Sequence, residues 1–420
     1  MATHNSPQAD TAPATALGGL RVLDLSRVLA GPWASQTLGD LGAEIIKVER
    51  PGEGDDTRHW GPPYVPGSVD GDSADAAYFM CTNRNKKSVA IDISSSEGQA
   101  LVRKLAACSD VVIENFKLGG LARYGLDYDS LKAVNPGLVY CSITGFGQTG
   151  PYANRPGYDF LVQGMCGLMS VTGRADGSPG AGPLKVGVAL TDILTGMYAS
   201  TAILAALRAR DITGMGQHID LALLDVGVAC LANQNTNYLY GGKVPGRMGN
   251  EHPNTTPYQD FPTADGHMIV AVGNDGQFKR FCIAAGRPEW AEDERFRLHA
   301  ARLENREALI SLVRARTRER TTQSWVATFE QAGVPCGPIN TIADVFQDAQ
   351  VRARGMLIDL PHRQAGEVPI VASPIRLSGT PVQYHQAPPV LGQDTRAVLQ
   401  GLLDVPTAAL DHLVEQGVIQ

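Results

Sequence analysis

From Leu20 the chain alternates short apolar runs with helix-start signals, and this alternation restricts the possible folds more than any other feature. Leu20–Leu25 is an apolar run ending at Ser26. Pro32 behind Gly31 marks a helix with proline at its first position, running to about Leu41. Glu44–Val48 and Ser88–Ile93 read as strands, Ser95 and Glu97 open a helix to Cys108, and strands follow at Asp110–Ile113 and Leu138–Ile143. Strands separated by helices need right-handed crossovers, so the expectation is an α/β fold with a doubly wound, mostly parallel sheet. Ligands of such sheets gather beyond the carboxyl ends of the strands. Here those ends are Ser26–Leu29, Glu49-Arg50, Asp92–Ser94, Glu114–Phe116 and Thr144-Gly145.

Gly145-Phe-Gly147-Gln-Thr-Gly150 follows a strand and matches G-x-G-x-x-G. A dinucleotide fingerprint also needs a helix opening inside it, so that the pyrophosphate meets helix N–H groups. Pro151, Asn154, Pro156 and Gly157 deny that helix, so the motif reads as a ligand-contacting loop.

Val186–Arg210 opens with apolar and small residues, carries no charge until Asp192, and then turns helical, with Ile193, Met197, Ala199, Ile203, Leu204 and Leu207 at spacings of threes and fours. Thr191 or Asp192 is the expected N-cap, and Arg208 and Arg210 suit the C-terminal end. Gly196 and Ala199 leave a thin side for another backbone or a ligand. Asp192 is then either a capping residue or a carboxylate kept ionised by helix N–H groups and available as a nucleophile.

Beyond this helix a second apolar helix runs from about Leu224 to Gly242, and a polar loop spans Pro245–Pro257. Tyr258–Phe261 and His267–Val272 alternate like strands around Asp265-Gly266, with helical segments from Gly276 to Gly333. A length of 420 residues favours two domains. The expectation is a large domain over 18–224, a smaller α+β domain over 225–330, and a return to the large domain over 331–420, with strands near Met356–Leu360 and Ile370–Ser373. Residues 1–17 read as a disordered tail without a targeting signal. A net charge of −7 argues against a nucleic-acid partner, and Arg84 to Lys87, the one basic run, reads as a solvated turn. No uninterrupted span suggests a membrane helix. The 7 cysteines never form C-x-x-C, which suits a cytoplasmic location, and no metal-ligand spacing occurs.

Leu23-Asp-Leu-Ser-Arg-Val-Leu-Ala-Gly-Pro-Trp33 and Leu38-Gly-Asp-Leu-Gly-Ala-Glu-Ile-Ile-Lys-Val-Glu-Arg-Pro51 resemble the opening of class III CoA-transferases of the CaiB/BaiF type. Val112-Ile-Glu-Asn-Phe116, the Gly145–Gly150 loop, the Asp192 segment, Gly333-Val-Pro-Cys-Gly-Pro-Ile-Asn340 and Pro389-Val-Leu-Gly-Gln-Asp-Thr395 extend the resemblance to roughly residues 18 to 418. Gly52-Glu-Gly-Asp-Asp-Thr-Arg-His-Trp-Gly-Pro-Pro63 and Thr256-Pro-Tyr-Gln259 are similar to the succinyl-CoA–glutarate branch. The resemblance implies a large domain built from both chain ends, an inserted small domain and an interlocked homodimer. It implies Asp192 as catalytic nucleophile and CoA contacts at Leu29, Ala30, Arg50, Ile91 to Ser94, Asn115, Phe116, Lys117, Arg123 and Arg155 to Tyr158. The expected reaction moves CoA from succinyl-CoA to a dicarboxylate such as glutarate, with an acyl-CoA and a carboxylate as its only partners and no permanently bound cofactor. The alternatives are a 2-methylacyl-CoA racemase, a formyl-CoA or other acyl-CoA transferase, and a non-catalytic CoA-binding protein. Tyr158 stands where a racemase needs histidine, and Leu29 where formyl-CoA transferases carry glutamine. A dicarboxylate leaves one carboxylate unreacted, and a buried charge of that kind needs a cation, best an arginine. Arg58 and Arg247 are the candidates.

Overall fold

The computed structural model describes residues 15–66 and 75–420. They gather into two compact units: one from the described residues up to Gly167, Val186–Ala232 and Arg354–Gln420, the other from Leu168–Lys185 and Asn233–Ala353.

In chain order the first unit contains β1 (Arg21–Asp24), α1 (Ala30–Asp40), β2 (Glu44–Glu49), α2 (Ala77–Met80), β3 (Lys86–Ala90), α3 (Ser96–Ala107), β4 (Val111–Glu114), α4 (Tyr128–Lys132), β5 (Val139–Thr144) and α5 (Asp159–Met165). After α6 (Leu168–Val171), which belongs to the second unit, come α7 (Leu190–Thr213), β6 (His218–Ala222) and α8 (Leu223–Cys230). The six strands form one sheet in the order β3-β2-β1-β4-β5-β6, and every neighbouring pair is parallel. The order reverses between β1 and β4, which opens a crevice at their carboxyl ends. The central strands β1, β4 and β5 are buried on both faces and mainly apolar, while β2 and β3 carry the buried, paired Lys47 and Lys86. Leu23, Ile46, Val89, Val112 and Tyr140 pack against α3, while Val22, Ile45, Val111 and Cys141 face α1 and α7.

The C-terminal segment completes this unit. Its hairpin strands Leu357–His362 and Gly366–Val371 pair antiparallel, and the helices Thr395–Leu403 and Thr407–Glu415 add Val398, Leu399 and Leu410 to the α3 side of the core. Asp394 and Ser88 exchange backbone and carboxylate bonds at 2.9 and 3.0 Å, and Asp92 N–H donates to Val418 O at 2.8 Å.

In the second unit, strands Tyr258–Pro262, His267–Ala271 and Cys336–Pro338 make an antiparallel sheet. Phe278, Phe281, Trp325 and Phe329 from its helices fill the core.

Several expectations need correction. The second unit does not end near 330: Cys336–Pro338 pairs with His267–Ala271, a long-range bond that local pattern does not encode, and the unit runs to Ala353 and includes Leu168–Lys185. The expected Leu224–Gly242 helix breaks at Ala232, whose φ is +44°. Helix α1 starts two residues before Pro32, with Leu29 as N-cap, because proline is tolerated anywhere in a first turn whose N–H groups lack helical partners. Of the supposed tail, residues 1–14 lie outside the described residues, while Leu17 N–H donates to Leu41 O at 2.9 Å and its side chain packs on the core. The basic run is no solvated turn: buried Arg84 pairs with Asp40 at 2.5 Å, and Lys86, fully buried in β3, pairs with Asp24 at 3.2 Å.

Candidate active site

Helix α7 begins at Leu190 because Ala189 is its N-cap, so Asp192 is the third helical residue and not the cap. The missing cap comes from another element. Asp159, the first residue of α5, accepts from the Thr191 backbone N–H at 2.8 Å and from Thr191 Oγ1 at 2.6 Å. The small side of α7 is used as expected, for the close approach of a backbone. A Cβ on Gly196 would lie 2.7 Å from Ala30 O and 3.0 Å from Trp33 Cβ. Gly196 therefore seats the start of α1 one turn beyond Asp192.

Asp192 is half-buried. Burial first, then the neighbouring Asp159 carboxylate, push its carboxyl up to about 7. The expectation that helix N–H groups keep it firmly ionised is corrected: at neutral pH it stands near half-ionisation, more basic than an ordinary carboxylate. The Tyr78 phenol on α2 is raised by burial first and also feels the Asp192 charge.

The crevice beyond the carboxyl ends of β1 to β4 encloses a cavity of about 290 Å³. Arg50, Ile91, Ser94, Phe116 and Arg123, all expected as CoA contacts, line it together, and Arg27 and Tyr124 join them. The two added residues were not singled out, although Arg27 lies in a strand end already marked as ligand-facing. The Arg123 guanidinium lies 4.5 Å from the Tyr124 ring centre, and that of Arg27 lies 5.7 Å from the Phe116 ring. Three arginines beside two aromatic rings and the carboxyl-end backbone suit a ligand with phosphates and a flat base.

The segment Ser26–Ala30 joins this cavity to the α7 start: Arg27 lines the cavity and Ala30 meets Gly196. It is held under strain. Val28 adopts a φ of +72°, an uncommon left-handed conformation for a β-branched residue. Its N–H donates to both Asp55 oxygens at 3.2 and 3.3 Å. Asp55 in turn accepts from Lys47 Nζ at 2.9 Å, and Lys47 also donates to Ser26 O at 2.8 Å; both side chains are fully buried. Burial alone would raise the Asp55 carboxyl, but Lys47 and the Thr57 bonds hold it down at about 2.

The remaining candidates fall elsewhere. Leu29 and Ala30 are buried at the α1 start and do not line the cavity. Asn115 is a clamp, accepting from Arg27 N–H at 2.9 Å and donating to Arg27 O at 2.7 Å. Lys117 is exposed and outside the cavity lining. Arg155 lies over the rings of Tyr152 and Phe146 at 4.5 and 5.4 Å, and Tyr158 is an exposed N-cap of α5. The Gly145–Gly150 loop opens no helix, and Gly145 lies against Gly157, where an added Cβ would meet Gly157 Cα at 2.5 Å.

Arg58 is corrected outright. It is buried, forks onto Glu49 at 2.7 and 2.8 Å, reaches Asp75 at 2.7 Å and donates twice to Pro389 O at 3.1 Å. Its guanidinium lies 3.7 Å from the Phe79 ring centre. With its donors spent inside the fold, it offers a substrate nothing. Arg247 lies in the second unit, paired with Asp176, while its buried Nε has no hydrogen-bond partner among the described residues.

Comparison with known proteins places these features. The model of CoA-transferase family III matches residues 17–395. The succinate–glutarate CoA-transferase of Agrobacterium fabrum is 51% identical over 94% of this chain and 97% of its own. The succinyl-CoA:glutarate CoA-transferase of Mus musculus is 43% identical over 99% of this chain and 92% of its own. The crystal structure of a CAIB/BAIF family protein from Brucella suis, 52% identical, superposes with a TM-score of 0.80 over 92% of this chain and 99% of that one.

Proposed function

Because the chain belongs to CoA-transferase family III, we propose that its Asp192 carboxylate carries CoA from succinyl-CoA to glutarate through covalent intermediates. The chain is a CoA-transferase, and succinate and glutarate are the carboxylates in the names of its relatives from Agrobacterium fabrum and Mus musculus. The observation that carries the mechanism is a half-buried, unusually basic carboxylate on the helix that meets the segment Ser26–Ala30, whose Arg27 lines the cavity.

The chemistry follows from the electrophile. An Asp192 oxygen adds to the thioester carbonyl, the C–S bond breaks, and CoA leaves as thiolate, giving a mixed anhydride. The thiolate then attacks Asp192 Cγ, expels succinate and leaves an aspartyl-CoA thioester. A glutarate oxygen attacks the same carbon, releases CoA thiolate and forms a second anhydride, whose glutaryl carbonyl the thiolate takes. Free Asp192 returns, no proton is gained or lost, and one thioester replaces another. A serine or cysteine would stop at a stable acyl ester or thioester; only a carboxylate forms both intermediates.

In this reading Arg27, Arg50 and Arg123 meet the CoA phosphates while the rings of Phe116 and Tyr124 meet its base. Such contacts hold ground and transition states alike. Arg123→Ala therefore raises KM for succinyl-CoA about tenfold with little change in kcat, the pattern of lost uniform binding; a fall in kcat at unchanged KM would place Arg123 in the chemistry instead.

The dicarboxylate preference is tested by an acceptor screen with succinyl-CoA, reading acyl-CoA products by mass. Glutarate and related C4–C6 dicarboxylates are expected to outcompete formate, oxalate and carnitine, and the reverse order would refute the reading.

The second unit reads as an inserted small domain, and the protein as a cytoplasmic, interlocked homodimer. What supports a second copy is exposed apolar surface on α5 and α7, where Phe160 is 60% exposed and Tyr198 49%.

A further inference from the structure

A carboxylate beside a nucleophilic carboxylate raises the question of what it is for. Asp159 is such a group, and its geometry gives it two connections. Through Oδ1 it takes both donors of Thr191, the residue next to Asp192, at 2.8 and 2.6 Å. Through Oδ2 it accepts from Gln163 Nε2 at 2.7 Å. Gln163, fully buried, accepts from Val186 N–H at 2.9 Å and donates to Val188 O at 3.3 Å. The approach to α7 and its first turn are thus tied to α5 through one carboxylate. Helix α7 has no capping side chain of its own, and an uncapped first turn frays readily.

The same carboxylate is the charged group acting on Asp192 among the described residues. Of the elements at the α7 start, α5 brings Asp159 and α2 brings the Tyr78 phenol. The first turn of α1 brings Ala30, Gly31, Pro32 and Trp33, none of them titratable. We propose that Asp159 is a positioning residue, which fixes the first turn of α7 through Thr191 and sets the electrostatic setting in which Asp192 reacts. This rests on Asp192 being the reacting carboxylate. Holding the nucleophile near half-ionisation makes it a stronger base, and so a better nucleophile, than a solvated carboxylate, at the cost of activity below neutral pH.

Two kinds of substitution separate the roles. Asp159→Asn removes the charge but keeps an oxygen for Thr191. Asp159→Glu keeps the charge but changes its reach, and Thr191→Val removes one of the two bonds. Single-turnover acylation by succinyl-CoA is measured against pH for each. For Asp159→Asn the midpoint of the pH profile moves down by about one unit; a midpoint equal to the native one overturns the electrostatic role, whatever the turnover. For Asp159→Glu and Thr191→Val the acylation rate falls about tenfold or more, while the midpoint stays within about half a unit and succinyl-CoA affinity is kept. Native rates in both overturn the positioning role, and these two variants decide the proposal should Asp159→Asn not fold. Failure of the parent reading looks different: Asp192→Asn would itself retain acylation.

Discussion

Asp192→Asn lowers CoA transfer by about four orders of magnitude or more, the scale of other lost nucleophiles. The substitution keeps the volume and the helix position, and Asp192 does not line the cavity of Arg50 and Arg123, so fold and cavity persist. Binding of CoA measured by calorimetry therefore stays native while turnover disappears. The native enzyme is expected to show the matching pH dependence. In the proposed mechanism the reacting form is the ionised carboxylate, and burial together with Asp159 raises that ionisation to about 7. The transfer rate accordingly rises with pH through that region and falls away on the acid side, where Asp192 is protonated. A rate already flat from pH 5 upward would mean that an ordinary, solvated carboxylate, or a different group, reacts.

Lys47→Met is expected to have the largest effect on stability. Lys47 and Asp55 are fully buried partners at 2.9 Å, with Asp24 close enough for its charge to act on Lys47. Removing the lysine leaves a buried carboxylate unpaired, at a cost of about 3–5 kcal/mol. The damage also reaches the site, because Asp55 then loses the partner that orients it towards the Val28 N–H. The sign with pH follows from Asp55. Its carboxyl is held down at about 2, so its stabilising contribution is present above the ordinary carboxylate range and is lost as pH falls towards 2. In Lys47→Met that acid-side loss is weaker, since the depressed carboxylate has lost its main cation. Chemical denaturation at several pH values measures both effects; a change below about 1 kcal/mol would show that the pair is dispensable.

Which features were readable from the chain depends on whether their cause is local. The strands of the sheet were legible because parallel strands covered on both faces are rich in apolar residues, and β1, β2, β4 and β5 fall where those runs predict. Their carboxyl ends then located the cavity, and Arg50, Ser94 and Phe116 came with them, whereas Arg123 was named only through the family resemblance. Features made by distant partners were not legible. Asp159 replaces the cap of α7 from 32 positions away, so a reading of the helix start alone assigned that cap to Thr191 or Asp192. An arginine in a polar stretch looks the same whether it awaits a carboxylate or has one, and Arg58 already has Glu49 and Asp75. The basic run at Arg84 and Lys86 misled for the same reason, since Asp40 and Asp24 lie far from it in sequence. The second unit's boundary escaped because a three-residue strand, Cys336–Pro338, becomes a strand only by pairing with His267–Ala271.

The central claim is that Asp192 itself becomes acylated, and mass spectrometry of the enzyme incubated with succinyl-CoA and no acceptor tests it most directly. Hydroxylamine added during that incubation is predicted to leave a hydroxamate on the peptide that carries Asp192, and Asp192→Asn is predicted to leave none. Transfer that proceeds at the native rate with no modification at Asp192, or with the hydroxamate on another residue, would contradict the account.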